Sequence, residues 1–221
     1  MSGNEKRLSD LQYSNMHSCK TTNLIELRWE GPFSWPSRSF QGAEKLLNDT
    51  EVASRCGVYL WTVEYCGGYL IYAAGITRRP FVRRFQEHTR AYLNGVYTIF
   101  DIPSLRNGVR KEIWHGFWFK KRLVEDEDQI EYENRFNEIH TAANDLLSNY
   151  RVFVAPIDPI PRLLERIEAA IMNSLYASTG PISTIPDRGM ALAPRWPEEQ
   201  PILVRTMAPV LLHGLPEEFE V

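Results

Sequence analysis

Cysteine is scarce in this chain. Its 221 residues include three, Cys19, Cys56 and Cys66, and no two of them have the C-x-x-C spacing of a zinc or redox site. An odd count with no such pair excludes a disulfide framework. With no signal-peptide pattern at the N-terminus, reduced thiols in a cytoplasmic setting are expected. Long apolar runs are missing as well. None approaches the roughly 20 residues that a membrane span requires, so no membrane partner is expected. There is no repeat of fixed period and no low-complexity tract, which excludes solenoids and compositionally biased arms. Nor does one sign of charge dominate: 25 Lys and Arg against 28 Asp and Glu leave −3. Contact with a nucleic acid would therefore have to come from a local basic patch and not from overall attraction. What remains is a chain of ordinary apolar content whose length fits one domain with appendages.

The most informative stretch runs from Gly57 to His88, GVYLWTVEYCGGYLIYAAGITRRPFVRRFQEH. Val58 to Glu64 mixes β-branched and aromatic residues in period-two alternation, the pattern of a half-buried strand. A Gly67-Gly68 pair then supplies the positive φ angles of a two-residue hairpin turn, and Tyr69 to Ala74 reads as the returning strand. Gly75 ends it, and Thr77 with Pro80 marks a helix start, since proline is pre-set for the first helical position. Arg84 and His88, four residues apart, share a face of that helix. The run Arg78, Arg79, Arg83, Arg84 sits at its opening, where free N–H groups and the helix dipole favour anions. A hairpin packed on an amphipathic helix with solvated arginines would account for the pattern without any chemistry.

These residues nevertheless resemble a known family. Gly57-Val58-Tyr59, then Tyr72 and Gly75 at the end of the second strand, then Gly75-Ile76-Thr77 with Arg84 and His88, are similar to the motifs of the GIY-YIG nuclease domain. The resemblance spans about Gly57 to Pro181. In the family the second tyrosine stands two residues before the glycine. Here that position is Ala73, and Tyr72 is one earlier. A bulge at Ala73-Ala74 is expected to re-aim Tyr72 onto the face that carries Tyr59. The resemblance implies an α+β fold: a small central antiparallel sheet of about three strands flanked by helices. It divides the chain into an N-terminal extension (1–55), a GIY-YIG-like domain (56–185) with an insertion around 102–149, and a proline-rich C-terminal tail (186–221).

Outside the motifs, Leu24 to Glu30 alternates as a strand and Gly31-Pro32 breaks it. Gly42 to Ser54 reads as a short helix. The first helix should reach about Asn94 and stop at Gly95, followed by an extended segment from Val96 to Ile102. In Ser104 to Arg122, basic residues including Arg110, Lys111, Lys120 and Lys121 alternate with Trp114, Phe117, Trp118 and Phe119. Such a mixture neutralises phosphates and stacks on bases, yet Gly116 to Phe119 also reads as a buried strand. Both readings stay open. With Arg79 and Arg83, these four basic residues are the candidates for nucleic-acid contact. Glu125 to Asp128 is an acidic run of the kind that opens a helix or lies in a solvated loop. Ile130 to Tyr150 carries one long helical pattern in which Ile130, Tyr132, Phe136 and Ile139 fall on the apolar side.

Arg151 to Ala155 is a short strand ended by Pro156. In the next helix Leu163, Leu164, Ile167, Ala170, Ile171, Ser174 and Leu175 form the inward stripe. Glu165 falls opposite that stripe and Glu168 on its margin. A carboxylate on a buried margin needs a positive partner, and an arginine or a cation could fill that role. The tail after Ile185 has too many prolines for long helices. Its apolar pieces, Ile202 to Val204 and Val210 to Leu212, should pack on the domain or on a partner subunit.

The resemblance then implies roles. Glu168 would be the metal-binding carboxylate, holding Mg²⁺ or another divalent cation. Arg84 would offer its planar fork to the phosphate. Tyr59 would take a proton from the attacking water with His88 sharing or orienting that role, and Tyr72 would position water or phosphate. The family's asparagine beyond the last helix has no counterpart in Gly180 to Thr184, which leaves Ser183 or Thr184 for that place. The expected function is a metal-dependent DNA endonuclease of restriction type acting on a DNA substrate. Cutting both strands would take a homodimer or two visits. The alternative is a module that kept the fold for nucleic-acid or protein binding and lost activity.

Overall fold

The computed structural model describes residues 24–36, 47–120, 126–160 and 162–221. Two short strands come first, β1 (Leu24–Arg28) and β2 (Glu30–Ser34). Gly31-Pro32 does not break the segment: it lies inside β2 as a cis peptide, where the pairing slips between Glu30 and Phe33. The irregularity accommodates a residue that cannot donate to the ladder. The described part of the expected Gly42–Ser54 helix consists of two single-turn 3-10 helices, Leu47–Asp49 and Glu51–Ser54. The hairpin follows as β3 (Gly57–Tyr65) and β4 (Gly68–Thr77). Its turn is Cys66-Gly67, both at positive φ, one residue earlier than the Gly67-Gly68 pair suggested. Gly68 is already in the strand, where a Cβ would lie 2.6 Å from the Leu211 carbonyl oxygen.

Helix α1 spans Phe81–Leu93 and stops at Gly95, which has φ +66°. The Val96 N–H bonds back to the Ala91 carbonyl, satisfying an orphan acceptor of the last turn. The extended segment after it shrinks to β5 (Ile99–Phe100), because Asp101 caps a short helix α2 (Ile102–Arg106) by accepting from Ser104 N–H at 2.9 Å. Strand β6 (Glu112–Trp114) pairs with β5. Phe117–Lys120 is a 3-10 turn and not a buried strand. The long Ile130–Tyr150 pattern is two helices, α3 (Asp126–Asn134) and α4 (Phe136–Asn149), broken at Arg135. Ile130 and Phe136, expected on the apolar side, are 55 % and 45 % exposed, whereas Tyr132, Ile139, Ala143, Leu146 and Leu147 are buried.

Strand β7 (Arg151–Pro156) and helix α5 (Leu163–Ala177) follow, then the one-turn helix α6 (Pro181–Thr184) and the strands β8 (Leu203–Met207), β9 (Leu212–His213) and β10 (Glu218–Glu220). The main sheet has the order β2-β7-β3-β4-β9. It is therefore five strands wide and not about three. The extra width comes from residues outside the motif region, β2 on one edge and β9, parallel to β4, on the other. The architecture is mixed α/β, compatible with the α+β class. A smaller sheet, β1-β8-β10, joins the N-terminal segment to the tail.

Two apolar layers flank the main sheet. On one face Tyr59, Trp61, Leu70 and Tyr72 pack with Phe81, Phe85 and Tyr92 of α1 and with Ile139, Ala143, Leu146 and Leu147 of α4. On the other, Val58, Leu60, Ile71 and Ala74 pack with Leu164, Ile167, Ile171 and Leu175 of α5 and with Leu27, Val204 and Leu212. Each fully buried Leu, Ile or Phe adds about 1.5–3 kcal/mol, so the period-two alternation of the hairpin decides which side chain meets which layer.

Candidate active site

The site is built where that alternation is broken. From Gly57 to Trp61, β3 pairs in regular register with Thr77 to Ala73, which puts Tyr59 opposite Gly75 and Trp61 opposite Ala73. The next pair is Thr62 with Ile71, so Tyr72 is left over as an extra residue. It is a β-bulge, one residue earlier than the Ala73-Ala74 position the sequence suggested. Its effect is the expected one. Tyr72 lies an odd number of residues from Gly75 and would otherwise enter the α5 layer. The bulge turns it into the α1 layer, where its ring lies parallel to Trp61 with centroids 6.3 Å apart.

Gly75 is required by Tyr59. A Cβ there would stand 2.5 Å from the Tyr59 hydroxyl and from its Cε2. The ring crosses flat over the glycine, and its hydroxyl reaches α1. There it lies 2.9 Å from His88 Nε2 and accepts from Arg84 Nε–H at 3.3 Å. Arg84 and His88 converge on this oxygen because they are one helical turn apart. On the other side of the imidazole, Nδ1 is 3.1 Å from the Tyr97 hydroxyl, and the Trp61 indole meets the ring edge-on at 4.5 Å. Arg84 also bonds Glu87 at 3.4 Å.

Glu168 arrives from the far side of the sheet. Helix α5 packs on the opposite layer, yet the strand neighbour of β4 at that edge, β9, pairs only with Tyr69 and Leu70. Beyond them the edge is open to other partners. Ala74 N–H meets Met172 Sδ at 3.1 Å, the Tyr72 carbonyl accepts from Asp187 N–H at 2.8 Å, and Ile76 N–H donates to the Glu168 carboxylate. Glu168 thus comes round the edge of β4 and lines the same cavity as Tyr59, Tyr72, Arg84 and His88. That cavity has a volume of about 230 Å³.

Burial sets the charge states. The Tyr59 phenol is pushed up to about 12, chiefly by desolvation, against which Arg84 pulls. His88 is pushed well below its ordinary value by burial and by the Arg84 charge, so the imidazole is neutral. The Glu168 carboxyl is raised to about 7 by burial and by the nearby Glu165 carboxylate, while Arg84 and the Ile76 N–H oppose the rise. Burial also raises the Tyr72 phenol well above its ordinary value. Arg84 is the one full charge in this group.

The remaining residues are placed less centrally. Glu165 is not a free surface residue: it is half-buried and ion-paired with Arg78, and its Oε2 is buried with no hydrogen-bond partner. Arg79 is exposed and pairs with Glu87 at 2.7 Å; Arg83 is exposed on α1. Lys111 is exposed and 3.8 Å from Asp101. Arg110 is occupied internally. Its guanidinium lies over the Phe100 ring and donates to the Pro186 carbonyl at 3.3 Å, which anchors the segment leading to Asp187. Lys121 and the side chain of Lys120 lie outside the described residues. Trp118 lines the cavity and is 38 % exposed.

Ser183 and Thr184 do not reach the cavity. Both turn back to the Gly180 carbonyl. Asp187 lines it instead, with its carboxylate accepting from Gly189 N–H at 3.0 Å. Sequence reasoning missed Asp187 because Pro-Asp-Arg-Gly reads as ordinary turn composition. It missed Tyr97 because that residue sat in a segment read as extended.

Among the described residues, no three His, Cys, Asp or Glu side chains gather round one point. A soft or multiply ligated metal has no ready ligand set in them. A hard cation such as Mg²⁺ is different, since it takes one or two carboxylates and completes its shell with water and phosphate oxygens. Glu168 fits that demand: a half-buried carboxylate facing the cavity, its charge offset among the described residues by the Ile76 N–H and the Arg84 guanidinium. No helix among the described residues is long and apolar enough to cross a membrane. No protein-family model, no curated protein and no solved structure matches this chain.

Proposed function

We propose that the protein is a metal-dependent endonuclease that hydrolyses phosphodiester bonds in DNA, on a GIY-YIG-like core. The observation that carries this reading is the convergence of Tyr59, Tyr72, Arg84, His88 and Glu168, drawn from four elements, on one cavity. A phenol, a guanidinium and a carboxylate meeting in this way match what phosphodiester hydrolysis needs: a route for the proton of the attacking water, a donor to the phosphoryl oxygens and a holder for a cation.

Arg84 orients the Tyr59 hydroxyl with one N–H and has further donors for a phosphate oxygen. Tyr59 does not ionise on its own near neutral pH. As it receives the proton of the attacking water, it passes its own proton to His88 Nε2, 2.9 Å away. Tyr72 and Trp61 wall the cavity and fix the position of Tyr59 by stacking. Glu168 would hold a divalent cation, which supplies Lewis-acid stabilisation of the phosphoryl and leaving oxygens when bound. Arg79, Arg83 and Lys111 supply exposed positive charge for the flanking phosphates.

A second reading is a nucleic-acid-binding module without activity. The observation in its favour is that Ser183 and Thr184, the residues left for the place of the family's asparagine, turn back to the Gly180 carbonyl and away from the cavity. Incubation of plasmid, branched and single-stranded DNA with the protein and Mg²⁺ separates the two. Cleavage that disappears in Glu168→Ala and Arg84→Ala while DNA binding persists supports the enzyme. Binding without cleavage of any of these substrates by the wild type supports the module.

A further inference from the structure

We propose that Tyr97 is a positioning residue that holds His88 in the tautomer with its proton on Nδ1, so that Nε2 is free to take the proton of Tyr59. The inference rests on the proposed nuclease reading for its catalytic consequence, but the tautomer itself does not.

The geometry is a chain of four groups. Arg84 Nε–H can only donate, and it points at the Tyr59 oxygen at 3.3 Å. The hydrogen of that hydroxyl then finds its acceptor, among the described residues, in His88 Nε2 at 2.9 Å. A neutral imidazole that accepts at Nε2 carries its hydrogen on Nδ1. The group 3.1 Å from Nδ1 is the Tyr97 hydroxyl, which can accept. Among the described residues, Tyr59 from β3, Arg84 from α1 and Tyr97 from the loop after α1 are the titratable groups that face the ring. Tyr97 is itself held by ring contacts to Tyr92, 5.1 Å between centroids, and to Trp118 at 6.0 Å. It is half-buried and lines the cavity, whereas His88 is buried.

The proton balance follows. Water loses a proton to the Tyr59 oxygen as the Tyr59 O–H bond breaks and a new N–H bond forms at His88 Nε2. The resulting imidazolium carries hydrogens on both nitrogens. It returns to neutrality when the Nε2 proton passes back to the Tyr59 oxygen as the hydroxyl proton of Tyr59 passes to water in the cavity, so that Nδ1, held by Tyr97, keeps its hydrogen throughout. A ring of the opposite tautomer would present N–H to the Tyr59 hydroxyl and could accept nothing from it.

Tyr97→Phe removes the hydroxyl and keeps the ring. In the full-length protein labelled with ¹⁵N-histidine, the wild type should show His88 with Nδ1 protonated and Nε2 unprotonated, and Tyr97→Phe should gain the opposite tautomer. In plasmid cleavage with Mg²⁺, kcat should fall roughly 10- to 100-fold with KM nearly unchanged. A wild-type His88 protonated on Nε2 overturns the proposal whatever the activity. So does a variant whose tautomer or kcat equals the wild type. If the tautomer behaves as expected and the wild type cleaves no DNA, the orienting role stands and the nuclease reading fails.

Discussion

Glu168→Gln should make this protein more stable while removing its proposed activity, and the gain should depend on pH. The wild-type carboxyl titrates near 4.5 in an unfolded chain and at about 7 in the folded one. Below 4.5 both states hold the proton and nothing is lost. Between 4.5 and about 7 the folded state keeps a proton that the unfolded state has released, so stability falls as pH rises. Above 7 both are ionised and the full penalty remains. At about 1.36 kcal/mol per pH unit, the interval is worth about 3 kcal/mol, and solvent access to a half-buried group brings this to about 2. Glutamine is the same shape, stays neutral, and can still accept from Ile76 N–H. For a chain of this size, about 2 kcal/mol is roughly 4–8 °C in Tm. Circular-dichroism melts without divalent ions should therefore show Glu168→Gln near wild type at pH 4.5 and higher by that margin at pH 8. Added Mg²⁺ should close the gap from the wild-type side only. At a hundred times its Kd, a ligand of the folded state adds about 2.7 kcal/mol. A variant that is less stable than wild type at pH 8, or equally shifted at both pH values, refutes the reasoning. It would mean that Glu168 already has a positive partner.

Three further substitutions test other joints of the site. Gly75→Ala places a methyl within 2.5 Å of the Tyr59 ring; a cost of about 1–3 kcal/mol in urea unfolding together with loss of cleavage is expected, and unchanged stability would show that Tyr59 can move. Arg84→Lys keeps the charge but loses the fork and the Nε–H on Tyr59, so kcat should drop by roughly 10²-fold with DNA affinity within a few-fold of wild type in a gel-shift titration. Arg83→Ala should leave kcat unchanged and weaken duplex binding, lowering the salt slope of log K by about 0.9 if this arginine meets a phosphate; an unchanged slope removes it from the DNA surface.

Much of the site was legible because its parts are local. Alternation in β3 and β4, the four-residue spacing of Arg84 and His88, and the marginal place of Glu168 on its helix are properties of a few neighbouring residues. The bulge was legible too, since Tyr72 has the wrong parity relative to Gly75. Only its place was off by one, because either side of an Ala-Ala pair can absorb the extra residue. What the sequence hides is pairing over distance. Strands β2 and β9 joined the main sheet through partners more than a hundred residues away, and no local pattern announces that. The Arg135 break between α3 and α4 was hidden for a related reason. Arg135 caps nothing with its side chain, but it is pinned by Glu131, Glu138 and the Ile113 carbonyl of β6, a tertiary tether. Asp187 likewise enters the cavity through a backbone bond to Tyr72 and through the Arg110 anchor, neither of which its own neighbours foretell.

The three pKa directions have one cause and one consequence. Burial drives phenol, imidazole and carboxyl each toward the uncharged form, upward for Tyr59 and Glu168 and downward for His88. Near and below neutral pH these three groups therefore add little charge beside that of Arg84. Arg84 bonds Glu87 through one N–H and keeps further donors for an anion, and a phosphodiester is one. Its arrival adds negative charge beside Glu168, which by itself would hold the Glu168 proton more firmly. A cation entering with the phosphate reverses that sign and expels the proton. On the proposed reading, then, neither the phosphate nor the cation alone brings the site to its working charge state. The two bind with positive coupling, and Tyr59 gives up its proton only after the second has arrived. The order is imposed by how little water surrounds these groups, not by any one residue.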